Sequence, residues 1–295
     1  MKGAIVYNGF WNREGLSDPV LRLQEAAEKR HISLMAIPNT LLTAAFGHDG
    51  PAVVGMPAAD FVLFWDKDVR LARALEACGF CVFNRADAIA LCDDKAATHL
   101  MLAREGIPMP DTMVAPMTYL KMDEPGKAFL TRAEKRFGFP MVVKECYGSL
   151  GGQVYLARNM EELYALMDQM AARPFIIQEF VSASAGRDIR LYMAGGKLIA
   201  AMRRTSTSDF RANIGNGGRA EAYAPSNEEI QLAERCCGLL GLDFAGVDLL
   251  HDAEGRPLVC EVNSNAHMAA LTACSGVDVA GGILDHVLSV LKETH

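Results

Sequence analysis

Residues 246–265 read GVDLLHDAEGRPLVCEVNSN. Two short runs rich in apolar and β-branched residues, GVDLL and PLVCEVN, flank the turn-forming run Asp252-Ala253-Glu254-Gly255-Arg256, and this pattern predicts a β-hairpin. Along the second strand Glu261 and Asn263 are two residues apart and therefore share a face. Asp248 joins them if the strands pair symmetrically about the Glu254–Gly255 link. Two carboxylates and an amide oxygen then stand on one surface beside Val247, Leu249, Val259 and Val262. A carboxylate left uncompensated there is strongly destabilising or shifts its pKa. A hard divalent cation compensates it, and ligation by oxygen alone selects magnesium or manganese over zinc. A solvated hairpin with an acidic edge is the competing reading, and the rest of the chain decides between them.

With 295 residues, 51% of them hydrophobic, the chain can bury a large core and form two or three subdomains. A net charge of −7 argues against holding nucleic acid or an anionic membrane by the overall field. The opening MKGAIVYNGFWNREG has too short an apolar run for a signal peptide, and no apolar span of membrane length follows. The expectation is a cytoplasmic protein with neither a nucleic-acid nor a membrane partner. Most of the eight cysteines lie in apolar sequence and read as buried thiols. Cys78-Gly79-Phe80-Cys81 has redox spacing, but Gly79 reads as a helix cap and no second pair completes a site, so the motif is read as structural.

Strands at 2–8, at ISLMAIP, at 60–65 and at 81–84 alternate with helices at 20–30 and 69–77, the pattern of a parallel α/β unit. Residues 47–57 read as a loop, and without a G-x-G-x-x-G turn no dinucleotide site is supported. Residues 86–105 read as one helix ended by Gly106-Ile107-Pro108, with Asp93-Asp94-Lys95 on a solvated face. A polar segment, 108–126, leads to a helix at 127–137 closed by Gly138-Phe139-Pro140. Next come the strand MVVKEC, which carries Lys144, the glycine-rich turn 147–152 and the strand QVYLA. Backbone N–H groups of such a turn can close over phosphate oxygens, although it is not a Walker loop. After a helix at 159–172, the strand FIIQEF is interrupted by Gln178 and Glu179 in the manner of a linker that hydrogen-bonds a ligand edge.

The stretch SASAGRDIR opens a hairpin that turns at Gly195-Gly196-Lys197 and returns as LIAAMRR. Asp188 and Arg190 share one face, and the adjacent Arg203 and Arg204 take opposite faces. Residues 205–221, with Asp209, Arg211, Asn213 and Asn216, are polar, glycine-rich and long enough for a binding loop. A helix at 227–240 precedes the first hairpin quoted, closing helices follow it, and His267 reads as a capping or core histidine.

A lysine in a strand, a glycine-rich flap, an acidic linker, loop arginines and an oxygen-only hairpin are what phosphoryl transfer from a nucleotide requires. From about residue 84 onward the chain resembles the ATP-grasp superfamily, in particular its RimK-like glutamate-ligase branch. The resemblance is carried in family order by DDK at 93–95, VVK with GSLGG at 142–152, QEF at 178–180 and GRDIR at 186–190. It continues with DFRAN and GG at 209–218, GVDLL at 246–250, EVN at 261–263 and GVDVA at 276–280. It implies an α/β fold in three parts, an N-terminal domain at 1–93 and two ATP-grasp subdomains at 94–185 and 186–295, clasping ATP. Lys95 and Lys144 would bind phosphates under a flap containing Gly148, Ser149, Gly151 and Gly152. Glu179 and the backbone of Phe180 would take adenine, and Asp188 and Arg190 would lie at the nucleotide. Arg211 and Asn213 would reach the triphosphate, and Asp248, Glu261 and Asn263 would hold two magnesium ions.

The implied reaction is ATP-driven. A carboxylate attacks the γ-phosphate to give an acyl phosphate and ADP, and an amine from an amino acid or peptide then displaces phosphate to form an amide. Arg203, Arg204 and Arg211 are the candidates for stabilising the acyl phosphate and the oxyanion that follows; which of the adjacent pair faces the site is open at this point. The implied acceptor is a peptide, a protein tail or a small carboxylate, and such ligases are often homo-oligomers. A catalytically silent nucleotide-binding module and a kinase releasing a phosphorylated product are the alternatives. The chain departs from the family at Ser264-Asn265-Ala266-His267 and at Ile214-Gly215-Asn216, both bordering the acceptor site, and its first 80 residues carry the weakest resemblance.

Overall fold

The structure is a computed structural model that describes residues 1–10, 18–119, 124–148 and 151–293, with the side chains of 124–127 and 216 left aside. The chain opens with β1 (Lys2–Tyr7), α1 (Asp18–Glu28), β2 (Ser33–Pro38), the hairpin β3 (Thr43–Gly47) and β4 (Gly50–Val54), β5 (Phe61–Trp65), α2 (Val69–Ala77) and β6 (Val82–Phe83). The four strands of its main sheet are parallel, in the order β2-β1-β5-β6. Helices cover both faces, so every residue of the central β5, FVLFW, is buried. The β3–β4 hairpin replaces the loop expected around 47–57. Its alanines, glycines and a proline have low strand preference, which hid it. Gly79, at φ 87°, ends α2 as expected, and the Cys78–Cys81 thiols are free.

Two helices, α3 (Ala86–Asp93) and α4 (Lys95–Arg104), replace the single helix expected. Asp94 leaves helical geometry at φ −88°, ψ 103°, and its carboxylate caps α4 by accepting the Ala96 and Ala97 N–H groups. Lys95 therefore opens a new helix and is only 6% exposed, where a solvated face was expected.

The middle of the chain forms β7 (Thr112–Val114), α5 (Glu124–Phe137), β8 (Met141–Glu145), β9 (Val154–Ala157), α6 (Met160–Met170) and β10 (Phe175–Glu179). The sheet is antiparallel, ordered β7-β10-β8-β9, and apolar residues of α5 and α6 fill its core. The remainder comprises β11 (Arg187–Ala194), β12 (Lys197–Thr205), β13 (Arg219–Ala222), α7 (Asn227–Leu240), β14 (Phe244–His251), β15 (Pro257–Asn263), α8 (Ala269–Ser275) and α9 (Val279–Glu293). Its sheet runs β13-β12-β11-β14-β15. Helix α7 starts in a reciprocal Ser226–Glu229 capping box and stops at Gly241 in the left-handed region. Among the described residues no single helix is long and apolar enough to cross a membrane.

The β14–β15 hairpin pairs Asp248 with Glu261, Val247 with Val262 and Gly246 with Asn263, as the symmetric reading requires. Beyond Asp248 the register shifts by one, Leu249 facing Val259, so Cys260 is an extra residue in a β-bulge. The bulge lets both Val259 and Val262 enter the core while Glu261 stays on the opposite face with Asp248.

Asn84, just after β6 and fully buried, ties the N-terminal sheet to the C-terminal one. Its Nδ2 donates to the Phe244 and Ser264 carbonyls at 2.9 and 3.1 Å, and its Oδ1 accepts the Asp243 and Phe244 N–H groups at 2.7 and 3.1 Å. Truncation strands all four backbone groups. Asn84→Ala is expected to lower stability by about 3 kcal/mol, read as a fall in the denaturant midpoint; an unchanged midpoint would refute this role.

Candidate active site

The middle and C-terminal sheets face each other across a cleft of about 740 Å³, counting its open mouth. That is within the usual range for a small-molecule site. One wall carries Lys144 on β8 and residues 178–181; the other carries Asp188, Arg204, Asp248, Cys260 and Glu261. The loop with Arg211 and Asn213 closes one side.

At the linker end, Glu179 and Asp111 exchange hydrogen bonds, with Asp111 N–H to Glu179 Oε1 at 2.9 Å and Glu179 N–H to the Asp111 carbonyl at 3.0 Å. Phe180 meets Phe210 edge to face, with centroids 6.3 Å apart. Behind them Gln178 Nε2 lies 2.8 Å from both His99 Nε2 and Thr112 Oγ1, and His99 Nδ1 lies 2.7 Å from the Lys95 carbonyl. Because the amide nitrogen donates, His99 Nε2 must accept and Nδ1 carries the proton, an assignment made from the network. Burial, reinforced by the Lys144 and Lys95 charges, pushes the imidazole pKa down to about 4.

At the flap end, Lys144 Nζ lies 3.4 Å from the Cys260 carbonyl and 3.6 Å from its sulfur. Lys95 Nζ reaches the Gly148 carbonyl at 3.4 Å and stands 3.8 Å from Glu261. Arg211 is held by Asp209 through Nε at 3.0 Å and Nη2 at 2.7 Å, and its Nη1 donates to the Gly151 and Val154 carbonyls at 2.6 and 3.1 Å. It straps the flap to the loop. Gly151, at φ +73°, holds a left-handed conformation that favours glycine, and a Cβ there would fall 2.9 Å from Asn213 Oδ1 and displace that side chain. Gly152 lies in the same turn. Ser149 lies outside the described residues.

Beneath the cleft runs a buried ion network. Arg190 grips Asp248 with Nε and Nη2 at 2.6 and 2.7 Å. Arg204 grips Asp188 with the same atoms at 2.6 and 2.8 Å and reaches Asp248 from Nη2 at 2.7 Å. Burial works to raise the Asp248 pKa, but the Arg190 and Arg204 charges outweigh it and hold the carboxyl below its ordinary value. For Asp188 burial wins over Arg204 and the pKa is raised.

Arg203 does not join this group. Strand alternation turns it outward, where it pairs with Glu221 at 3.0 Å and lies over the Tyr223 ring at 4.8 Å. Arg204, then, is the member of the pair that faces the cleft. Arg190 stands behind Asp248 and reaches it as described. His267, expected as a cap or core residue, is exposed.

The donor set suits a hard cation. Glu261 and Asp248 face each other in register, Asn263 follows two residues after Glu261 on the same strand opposite Gly246, and its Nδ2 is buried without a partner. Among the described residues no three His, Cys, Asp or Glu side chains could hold a metal by themselves. Two carboxylates and an amide completed by substrate oxygens is the usual arrangement for magnesium. Sequence reasoning missed His99, whose partners are distant in the chain, and Lys67, which pairs with Asp93. The signal for Lys67 was its place two residues past a wholly apolar parallel strand.

A sheet whose Lys144 faces the carboxylate hairpin of a second sheet across a nucleotide-sized cleft, beside a third, parallel sheet, is the arrangement of the ATP-grasp type of α/β fold. This chain belongs to the RimK-like ATP-grasp family, whose domain model matches residues 92–287. It is 38% identical over 228 residues to β-citrylglutamate synthase B of Danio rerio, covering 77% of this chain and 55% of that protein. To N-acetylaspartylglutamate synthase A of Homo sapiens it is 35% identical over 228 residues, covering 77% and 57%. The chain thus spans somewhat more than half the length of these curated relatives. A solved RimK-domain ATP-grasp protein from Sphaerobacter thermophilus superposes with a TM-score of 0.74 at 25% identity, covering 97% of this chain and 99% of that one.

The two adjacent arginines are expected to behave differently. Arg204→Ala strands the Asp188 carboxylate and takes one of two guanidiniums from Asp248, and should destabilise by roughly 3–5 kcal/mol, whereas the exposed Arg203→Ala should change stability by about 1 kcal/mol or less. Equal effects in urea unfolding would refute the assignment of faces. His99 stays neutral in the folded chain, so between its ordinary 6.5 and about 4 the unfolded state binds the extra proton and stability falls as pH is lowered. Denaturation across that window should show His99→Gln losing less stability on acidification than the parent chain.

Proposed function

We propose that this protein is an ATP-dependent carboxylate–amine ligase that takes glutamate as the amine substrate. The observation that carries the reading is Lys144 facing Asp248 and Glu261 across one cleft. Family membership supports it, as do the products named for the two relatives, β-citrylglutamate and N-acetylaspartylglutamate.

In this reading Lys95 and Lys144 spread the charge of the phosphate oxygens, and Glu179 with the Phe180 backbone borders the adenine. The substrate carboxylate attacks the γ-phosphorus, ADP leaves, and the acyl phosphate is then attacked by the amine with loss of inorganic phosphate. Arg204 and Arg211, which line the cleft, would offset the charge on the acyl phosphate and the oxyanion after amine attack. Their guanidiniums are already oriented by Asp188 and Asp209, so little rearrangement accompanies charge development. Asp248, Glu261 and Asn263 would hold magnesium, one ion or two, with manganese an acceptable substitute, and the metal would neutralise phosphate charge. In this reading the flap, to which Arg211 is bonded at Gly151, would keep out water that hydrolyses the acyl phosphate.

Incubation with ATP, magnesium, glutamate and a panel of small carboxylates and peptides is expected to release ADP and phosphate in step with amide formation. Glu261→Ala should lower kcat/KM by about 100-fold or more. ATP binding without turnover, unchanged by that substitution, would point to a silent nucleotide-binding module. A stable phosphorylated compound made without an amine would point to a kinase.

A further inference from the structure

Two lysine ammonium groups converge on a single backbone oxygen. Lys95 Nζ lies 3.4 Å and Lys67 Nζ 3.5 Å from the Gly148 carbonyl. Lys95 also stands 3.8 Å from Glu261, and Lys67 pairs with Asp93. Their origins differ. Lys95 opens α4, whereas Lys67 follows β5 of the N-terminal sheet and lies outside the residues, 92–287, that carry the family match.

The position of Lys67 is built. In the order β2-β1-β5-β6 the chain passes from β1 to β2 on one side and later crosses to β5 on the other. The gap between the carboxyl ends of β1 and β5 is thus a topological switch point, the place where open parallel sheets receive ligands. Asn8 and Asp66-Lys67 stand at those ends. The buried Asp66 carboxylate accepts the Lys67 N–H at 2.7 Å, Asn39 Nδ2 at 2.8 Å and Asn8 Nδ2 at 3.2 Å. From the far side Asn265 Nδ2 donates to the Asp66 carbonyl at 2.9 Å. The Lys67 backbone is therefore fixed from both the N-terminal strands and the segment after β15, while its side chain, 36% exposed, is turned to the flap. Beyond one carboxylate each, the two ammonium groups share a single neutral carbonyl, which is a weak partner. A phosphoryl group offers three oxygens and full negative charge, and charge-assisted hydrogen bonds are roughly twice as strong as neutral ones.

We propose that Lys67 is a third phosphate-binding lysine, delivered by the N-terminal sheet to the terminal phosphoryl group of the nucleotide beside Lys95. The assignment rests on the ligase reading above and adds to it a dependence of triphosphate recognition on the N-terminal unit. The other anion in the reaction, the substrate carboxylate, is the competing occupant beside Lys67, and the experiment below separates the two.

Titration calorimetry of the full chain with magnesium, comparing a non-hydrolysable ATP analogue with ADP, tests this. Lys67→Met is expected to weaken the analogue about tenfold or more and to leave ADP within about twofold, and Lys67→Arg to restore most of the loss. Equal weakening of both nucleotides, or of neither, overturns the proposal. So do wild-type nucleotide affinities accompanied by a raised KM for the carboxylate. If Lys67→Met disturbs folding, Lys67→Gln is read by the same criteria. Parent protein that binds neither nucleotide overturns the ligase reading and this assignment together, whereas parent protein that binds both, with no discrimination lost in the variants, overturns the assignment alone.

Discussion

The structure depends on two guanidiniums and two carboxylates held out of water. Arg190, Arg204, Asp188 and Asp248 sit on β11, β12 and β14, the three central strands of the C-terminal sheet, and neutralise one another. Removing such groups from water is unfavourable unless every charge is matched and every proton placed, so the set is all or nothing. This fixes how the three strands lie side by side at the cleft. Because Asp248 faces Glu261 in register, the network also sets where the second carboxylate stands.

The opposite wall is organised by cations reaching for backbone oxygens. Lys95, Lys67 and Arg211 all donate to carbonyls of residues 148–154, and Lys144 reaches across to Cys260. Three of these cations also keep a carboxylate partner, Arg211 with Asp209, Lys67 with Asp93 and Lys95 near Glu261, so the groups are oriented by both charges and backbone dipoles. Buried, neutral His99 supports this wall from behind by joining the α4 backbone to Gln178 on β10.

Much of this was legible in local sequence. Helix α7 was expected at 227–240 and lies there, with a Ser226–Glu229 capping box at its start and Gly241 at its end, both local in the chain. The β14–β15 hairpin was placed because turn chemistry and alternation agree. What was missed has a common cause, since it depends on partners far away. Asp94 looks like one more surface charge until the chain bends there to bring Lys95 against the Cys146 carbonyl. Whether Arg203 or Arg204 faces inward depends on the absolute phase of β12, which Asp188 and Asp248 set from neighbouring strands. The short strands β7 and β13 form only as edges to sheets already built, and their own residues announce little. The joining of Asn84 to Phe244 and Ser264, and of Asn265 to Asp66, spans well over a hundred residues and leaves no local trace.

Cys260 has a consequence that concerns counting more than chemistry. A strictly alternating strand cannot point both Val259 and Val262 one way and Glu261 the other; the odd residue between pairs resets the rhythm so that packing and ligation are served by a single short segment. The side chain at 260 is thus less constrained than the number of residues around it. An insertion or deletion there, silent in any tally of charge or hydropathy, exchanges inside for outside along the rest of the strand.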